Sequence, residues 1–238
     1  MNQFPKTQDL ILNYKNGWLD ILLNNAANKN ALKDSLVKEL FIVFEAAKDN
    51  KDVRGIVLRG NGGVFCAGAD LKKMKKITNS GKKAKKQAYD LSIAIGRPFE
   101  IINQAPQIVV SVTEGFALAG GFGIACASDF VISLENTKFG LTETKIGLTP
   151  SQISKYVINK LGYSKARKMM LLGTIINGLE ASKIGLVDFV ANNNETLEKK
   201  IKYFKSQVID CSPSAIATTK KVLSLNQNID SLKAADLF

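Results

Sequence analysis

Phe65-Cys66-Ala67-Gly68-Ala69-Asp70-Leu71 and Glu114-Gly115-Phe116-Ala117-Leu118-Ala119-Gly120-Gly121-Phe122-Gly123 are the two stretches from which this chain is read. Each follows a strand-like run, Gly55 to Arg59 in the first case and Ile108 to Val112 in the second. Each places small residues where a backbone must come close to something. Gly120-Gly121 falls where a helix would begin, so free N–H groups and the positive end of a helix dipole point outward there. One N–H from each stretch could together hold the negative charge that develops on a carbonyl oxygen. Either stretch alone reads as tight packing before a helix. The pair, in this order, points to chemistry on an activated carbonyl.

Composition narrows the chemistry. The chain has 238 residues, enough for one large domain or a domain with an appendage, and 45% of them are hydrophobic. It has no histidine, which excludes Ser-His-Asp and Cys-His catalysis. Three widely spaced cysteines, Cys66, Cys126 and Cys211, form neither a disulfide pattern nor a metal pattern, and they fit a reducing cytoplasm. Proton transfer therefore falls to carboxylates, lysine, tyrosine or cysteine. No metal or redox cofactor is expected.

The sequence contains no apolar run of membrane-spanning length, and Met1 to Lys6 lacks the basic-then-apolar order of a signal peptide. The net charge is +12, with lysine concentrated in Lys72 to Lys76 and Lys82 to Lys86. These runs read first as a solvated face and second as an attraction for an anionic ligand such as a CoA nucleotide. No aromatic-interleaved basic motif supports nucleic-acid binding.

Around the two stretches, Leu10 to Leu12 and Trp18 to Leu22 flank Asn16-Gly17, the preferred pair of a tight hairpin turn. Asp34 to Lys48 carries Leu36, Leu40, Phe41, Phe44 and Ala47 at helical spacing. Lys73 to Lys86 reads as a mobile polar excursion. Tyr89 to Asn103 reads as a helix broken or kinked at Gly96 and Pro98. Pro150 predicts the first turn of a helix ending at Leu161 before Gly162, and Ser164 predicts a cap on the next helix. From about Asn194 the pattern is helical.

Taken together, the two stretches resemble the crotonase (enoyl-CoA hydratase/isomerase) superfamily. The resemblance extends through Ala27 to Leu32, Cys126 to Asp129, Phe139 to Glu143, Ile146 to Pro150 and Ile184 to Val187. It implies an α/β fold, a spiral of repeated ββα units with a C-terminal helical oligomerisation region. The corresponding division is residues 1–193 for CoA binding and catalysis and 194–238 for the helical region. Family members continue for a further helical stretch, so the tail ending at Phe238 is expected to be incomplete.

The resemblance also implies site roles. The N–H groups of Ala69 and Gly120 would hold the thioester oxygen. Ala67, Ala69 and Leu71 would line a CoA adenine pocket, and Lys29 and Ala31 would touch CoA from the early loop. Asp70, Gly121 and Gly123 complete the expected substrate contacts, with Asp70 at least as much a cap. Asp129 reads as structural.

Hydratases of this kind commonly use two glutamates. The second corresponds to Glu143. The first corresponds to Gly123, which cannot carry a proton. Glu143, between Leu141 and Ile146, would have its pKa raised by desolvation; a local ion pair with Lys145 is the competing reading.

Gly147-Leu148-Thr149-Pro150-Ser151-Gln152-Ile153-Ser154-Lys155-Tyr156-Val157 resembles methylglutaconyl-CoA hydratase-like members in particular. The implied activity is hydration of an α,β-unsaturated, branched or unbranched, acyl-CoA, with CoA carried by the substrate. Double-bond isomerisation and glutaconyl-type decarboxylation are the enzymatic alternatives, and a basic RNA-binding or scaffold protein is the non-enzymatic one. A homotrimer or dimer of trimers is the implied assembly.

Overall fold

A computed structural model describes residues 4–68 and 84–224. The expected excursion at Lys73 to Lys86 falls mostly outside these residues, as do Ala69, Asp70 and Leu71.

A six-stranded sheet forms the frame, in the order β1-β2-β3-β4-β6-β9. Its strands are β1 (Leu10–Lys15), β2 (Trp18–Leu23), β3 (Gly55–Gly60), β4 (Ile108–Thr113), β6 (Phe130–Leu134) and β9 (Phe189–Ala191). Only β1 and β2 pair antiparallel, as the hairpin expected at Asn16-Gly17, where both residues have positive φ. The remaining pairs are parallel. That arrangement explains the unalternating apolar runs Ile56-Val57-Leu58 and Val109-Val110, which are buried on both faces of the sheet.

One face carries α1 (Asp34–Lys48), α2 (Ala84–Gln104) and α3 (Gly120–Ala127) over the larger core. The other carries α7 (Asn194–Ile209), whose Leu197, Ile201, Phe204 and Val208 pack with Trp18, Val110 and Ile132. Phe204 meets the rings of Trp18, Phe130 and Phe189. A small second sheet, β5-β7-β8, stands beside α3 and comprises β5 (Phe116–Leu118), β7 (Lys138–Gly140) and β8 (Ile175–Ile176). The shorter helices are α4 (Ser154–Leu161), α5 (Tyr163–Leu172), α6 (Gly178–Lys183) and α8 (Pro213–Ser224).

Several local expectations shift by a turn. In α1, Val43 takes the core position expected of Phe41. Phe41 stays 40% exposed, with the Arg97 guanidinium 5.9 Å from its ring centre. α2 runs unbroken through Gly96 and Pro98 and begins earlier than Tyr89. α4 begins at Ser154, not Pro150, because residues 150–153 form a turn that sends Ile153 against α3. Ser164 lies inside α5, whose N-cap is Gly162.

Candidate active site

The two stretches quoted at the outset are zipped together. The Phe65 N–H donates to the Glu114 carbonyl (2.9 Å), the Cys66 N–H to Phe116 (3.1 Å) and the Leu118 N–H back to Cys66 (3.0 Å). Cys66 and Ala117 form a parallel bridge. The early loop closes over this junction. The Ala67 N–H donates to the Lys29 carbonyl at 3.0 Å, and the Leu32 N–H donates to Gly68 at 2.8 Å. Buried Asn30 pins that loop, since its amide donates to the Asn61 and Val64 carbonyls while its oxygen accepts from the Asn25 N–H. Asn30 had drawn attention only as part of a motif; its anchoring role follows from these contacts.

Gly68 and the start of α3 are in contact. A Cβ on Gly68 would lie 3.1 Å from the Gly120 nitrogen and 2.7 Å from the Ala119 Cβ. Gly68 also has φ +94°, a conformation that side chains resist. Glycine is therefore required there twice over. A Cβ on Gly120 would lie 2.8 Å from Leu32 Cδ1 and 3.5 Å from Gly68 Cα. Gly121 lies directly on the Cys66 carbonyl.

The first N–H groups of α3 lack acceptors within the helix by its geometry, so they face this junction with the positive end of the dipole. Ala119, the N-cap, is held at φ 48° and ψ −114°. Its N–H is fixed to the Gly140 carbonyl at 2.8 Å, and its own carbonyl accepts from Gly123 at 3.0 Å. A non-glycine residue in that region stores backbone strain.

Of the expected substrate contacts, Lys29, Ala31, Ala67, Gly120 and Gly121 come together around Gly68. Lys29 is exposed at φ 53°, with its ammonium 5.4 Å from the Phe116 ring centre. Ala69 follows Gly68 directly in the chain but lies outside the described residues with Asp70 and Leu71.

Gly123 points elsewhere. A Cβ there would overlap Ile153 and lie 2.9 Å from Phe99 Cε1. Two large apolar side chains from neighbouring elements occupy the direction in which a longer side chain would project.

Glu143 opens a single 3-10 turn, Glu143–Ile146, just beyond β7. The Leu148 N–H closes back on the Glu143 carbonyl at 3.0 Å, and the Thr144 hydroxyl donates to the Met170 carbonyl at 3.2 Å. Leu141 is buried, whereas Ile146 is 56% exposed. The Glu143 Oε2 is buried without a hydrogen-bond partner. Its pKa is raised, chiefly by desolvation, with its own backbone N–H partly offsetting this. Lys145 does not relieve it, because the lysine stem lies along Gly173. The buried Cys66 thiol is pushed up to about 12, so it holds its proton at neutral pH.

A sequence model of the enoyl-CoA hydratase/isomerase family matches residues 13–236. The chain belongs to that family. It is an enzyme of the hydro-lyase type on a crotonase fold, as its sequence resemblance implied. It is 30% identical over 224 residues to a 2,3-dehydroadipyl-CoA hydratase of Escherichia coli, covering 93% of this chain and 84% of the relative. It is 29% identical over 216 residues to the mitochondrial methylglutaconyl-CoA hydratase of Mus musculus, covering 87% and 65%. The solved structure of Pseudomonas aeruginosa AtuE superposes with a TM-score of 0.90 at 36% identity, covering 96% of this chain and 88% of that one. Among the described residues, no helix is long and apolar enough to cross a membrane.

Proposed function

We propose that the protein catalyses reversible hydration of an α,β-unsaturated, branched or unbranched, acyl-CoA thioester, with Glu143 as its one carboxylate acid/base. The observation that carries this reading is the buried, unpartnered Glu143 Oε2, which is free to take up a proton in a site where desolvation raises the carboxyl above its ordinary pKa. The N–H groups of Ala69 and Gly120 stabilise the enolate oxygen. Fixed dipoles suit this task because they need no reorganisation as charge develops, and one such donor is typically worth about 10²–10³ in rate. The contact between Gly68 and the start of α3 supports this pairing. CoA enters as part of the substrate, contacted by Lys29, Ala31 and Ala67.

The apolar filling beside Gly123 favours one further reading. A single carboxylate with no second acid could instead move a double bond between the 3- and 2-positions. One assay separates the two: purified protein with crotonyl-CoA, 3-methylglutaconyl-CoA and a 3-enoyl-CoA, with products identified by mass. A gain of one water on a 2-enoyl substrate, lost in Glu143→Gln, is the expected result. A moved double bond without mass change overturns hydration in favour of isomerisation.

In this reading residues 1–193 form the catalytic unit, and residues 194–238 contribute to a trimer or dimer of trimers. Exposed Tyr163, Leu171, Leu172 and Ile175, near the Glu143 turn, support self-association; light-scattering mass tests it. The free cysteines support a cytoplasmic setting.

A further inference from the structure

We propose that the cavity between the end of α1, the starts of β3 and β4 and the first turns of α8 is a second ligand site, built for a small aliphatic hydroxy acid. It lies apart from the catalytic junction and does not rest on the hydratase reading.

The cavity holds about 490 Å³, within the range of small-molecule sites. Two of its lining residues fix its place. Arg54 lies immediately before β3 and Gln107 immediately before β4, at the amino ends of these strands. The two glycine stretches meet beyond the carboxyl ends. A six-residue strand separates the two places by about 20 Å.

Both of these residues carry unused hydrogen-bonding capacity. Gln107 is 7% exposed, and its Nε2 donates to the Ala47 carbonyl at 2.7 Å. That bond fixes the amide against the end of α1 and leaves Oε1 turned away from it, buried and without a donor. Arg54 Nη2 donates to the Ile209 carbonyl at 2.9 Å and the Cys211 carbonyl at 2.6 Å. Its Nε is buried without an acceptor. Buried polar groups are normally satisfied. One acceptor and one donor left over in the lining of a single cavity therefore describe a ligand that donates to Gln107 and accepts from Arg54.

Charge decides what kind of acceptor the ligand brings. Lys48, Lys51 and Arg54 line the cavity with a single carboxylate, Asp49, and none of the three cations makes an ion pair among the described residues. A ligand carboxylate meets that need. It has no proton to give Gln107 Oε1, whereas a hydroxyl has one. Val53, Pro106, Ile216 and Ala217 supply an apolar wall for a short hydrocarbon body. A phosphate suits the site less well. Pro213 opens α8 without an N–H, and the Ser212 hydroxyl already accepts from the Ala215 N–H at 3.5 Å.

Binding has a structural consequence. α8 has no fully buried residue and is held to the body through Ile216 and through the Lys220 ammonium on the Gln107 carbonyl and Asp129. A ligand in the cavity ties its first turns to α1 and β3 as well.

The test titrates the whole protein with 3-hydroxybutyrate and 2-hydroxyisocaproate, followed by saturation-transfer NMR, with butyrate as the analogue lacking the hydroxyl. Saturable binding of a hydroxy acid, unaffected by saturating butyryl-CoA, is expected. Butyrate should bind about tenfold more weakly. Lys51→Glu, an exposed charge reversal, should weaken hydroxy-acid binding about tenfold. Ala217→Trp, which fills the cavity from α8, should abolish binding with the circular dichroism spectrum unchanged. The proposal is overturned by absence of saturable binding of either hydroxy acid, by equal affinity for butyrate, or by full binding in Ala217→Trp. Displacement by butyryl-CoA also overturns it, because it places the acid in the catalytic site. Should Ala217→Trp fail to fold, unchanged affinity in Lys51→Glu overturns it equally.

Discussion

The two ends of the parallel strands treat carboxylates in opposite ways. At the amino ends of β6 and β9, Asp129 and Asp188 are tied down. Asp129 Oδ2 accepts from the Val109 N–H at 2.7 Å and from the Lys220 ammonium at 2.6 Å. Asp188 Oδ2 accepts from the Val131 N–H at 2.8 Å and from Lys160 at 3.2 Å. Each aspartate also returns its own N–H to the carbonyl of the same neighbouring strand residue. On the side where the two glycine stretches meet, Glu143 is half-buried, and its Oε2 has neither cation nor donor. Buried polar groups are normally satisfied. The satisfied carboxylates therefore hold strands in register, and the unsatisfied one is free to exchange a proton.

The largest break in that contrast is Glu143→Gln. Hydration should fall about 10²–10⁴-fold at unchanged fold, read by initial rates beside circular dichroism. Its effect on stability should follow from the direction of its pKa. Because folding raises that pKa, the folded state keeps the proton after the unfolded chain has released it. The native protein therefore loses stability as pH rises from the ordinary carboxylate range through the raised value. Urea melts across that range should show this fall in the native protein and a flatter profile in Glu143→Gln. An unchanged profile would mean the carboxylate is solvated.

Asp129→Asn should do the reverse. It leaves Lys220, whose pKa burial already pulls down and Asp129 holds up, without its counter-charge. A loss of about 3 kcal/mol is expected in denaturant midpoints, with activity per folded molecule retained. Activity lost ahead of stability would place Asp129 with Glu143 and erase the contrast.

Gly123→Glu should not add a second acid. The new side chain must displace Ile153 and Phe99, so a destabilisation of about 2 kcal/mol is expected in thermal melts, without faster hydration. The double change with Ile153→Ala should recover part of that stability.

The smallest effect belongs to Ala119→Gly. It relaxes a strained N-cap at φ 48° and should stabilise by about 1 kcal/mol. Crotonyl-CoA rates would show whether that strain aids the oxyanion donors.

Much of this was legible in the residues. Asn16-Gly17 fixes its hairpin because only a few residues adopt the mirror-image turn without strain. Gly120-Gly121 marked the start of α3, and the absence of histidine left proton transfer to carboxylates, lysine, tyrosine or cysteine. Glu143 was found by its motif. The helix start at Pro150 was misread, and no break occurs at Gly96, although local propensity favours a start at one and a break at the other. Tertiary contacts decide both positions, through Ile153 on Gly123 and Gln152 on Gly96.

The sequence by itself therefore determined the family, the hairpin at Asn16-Gly17 and the start of α3, since these depend on residue type and short-range spacing. The tertiary structure alone decided what faces Gly123, which carboxylates are satisfied and that Gln152 fills the space beside Gly96. Those outcomes depend on side chains brought together from distant parts of the chain, where packing volume and desolvation act and no local pattern records them.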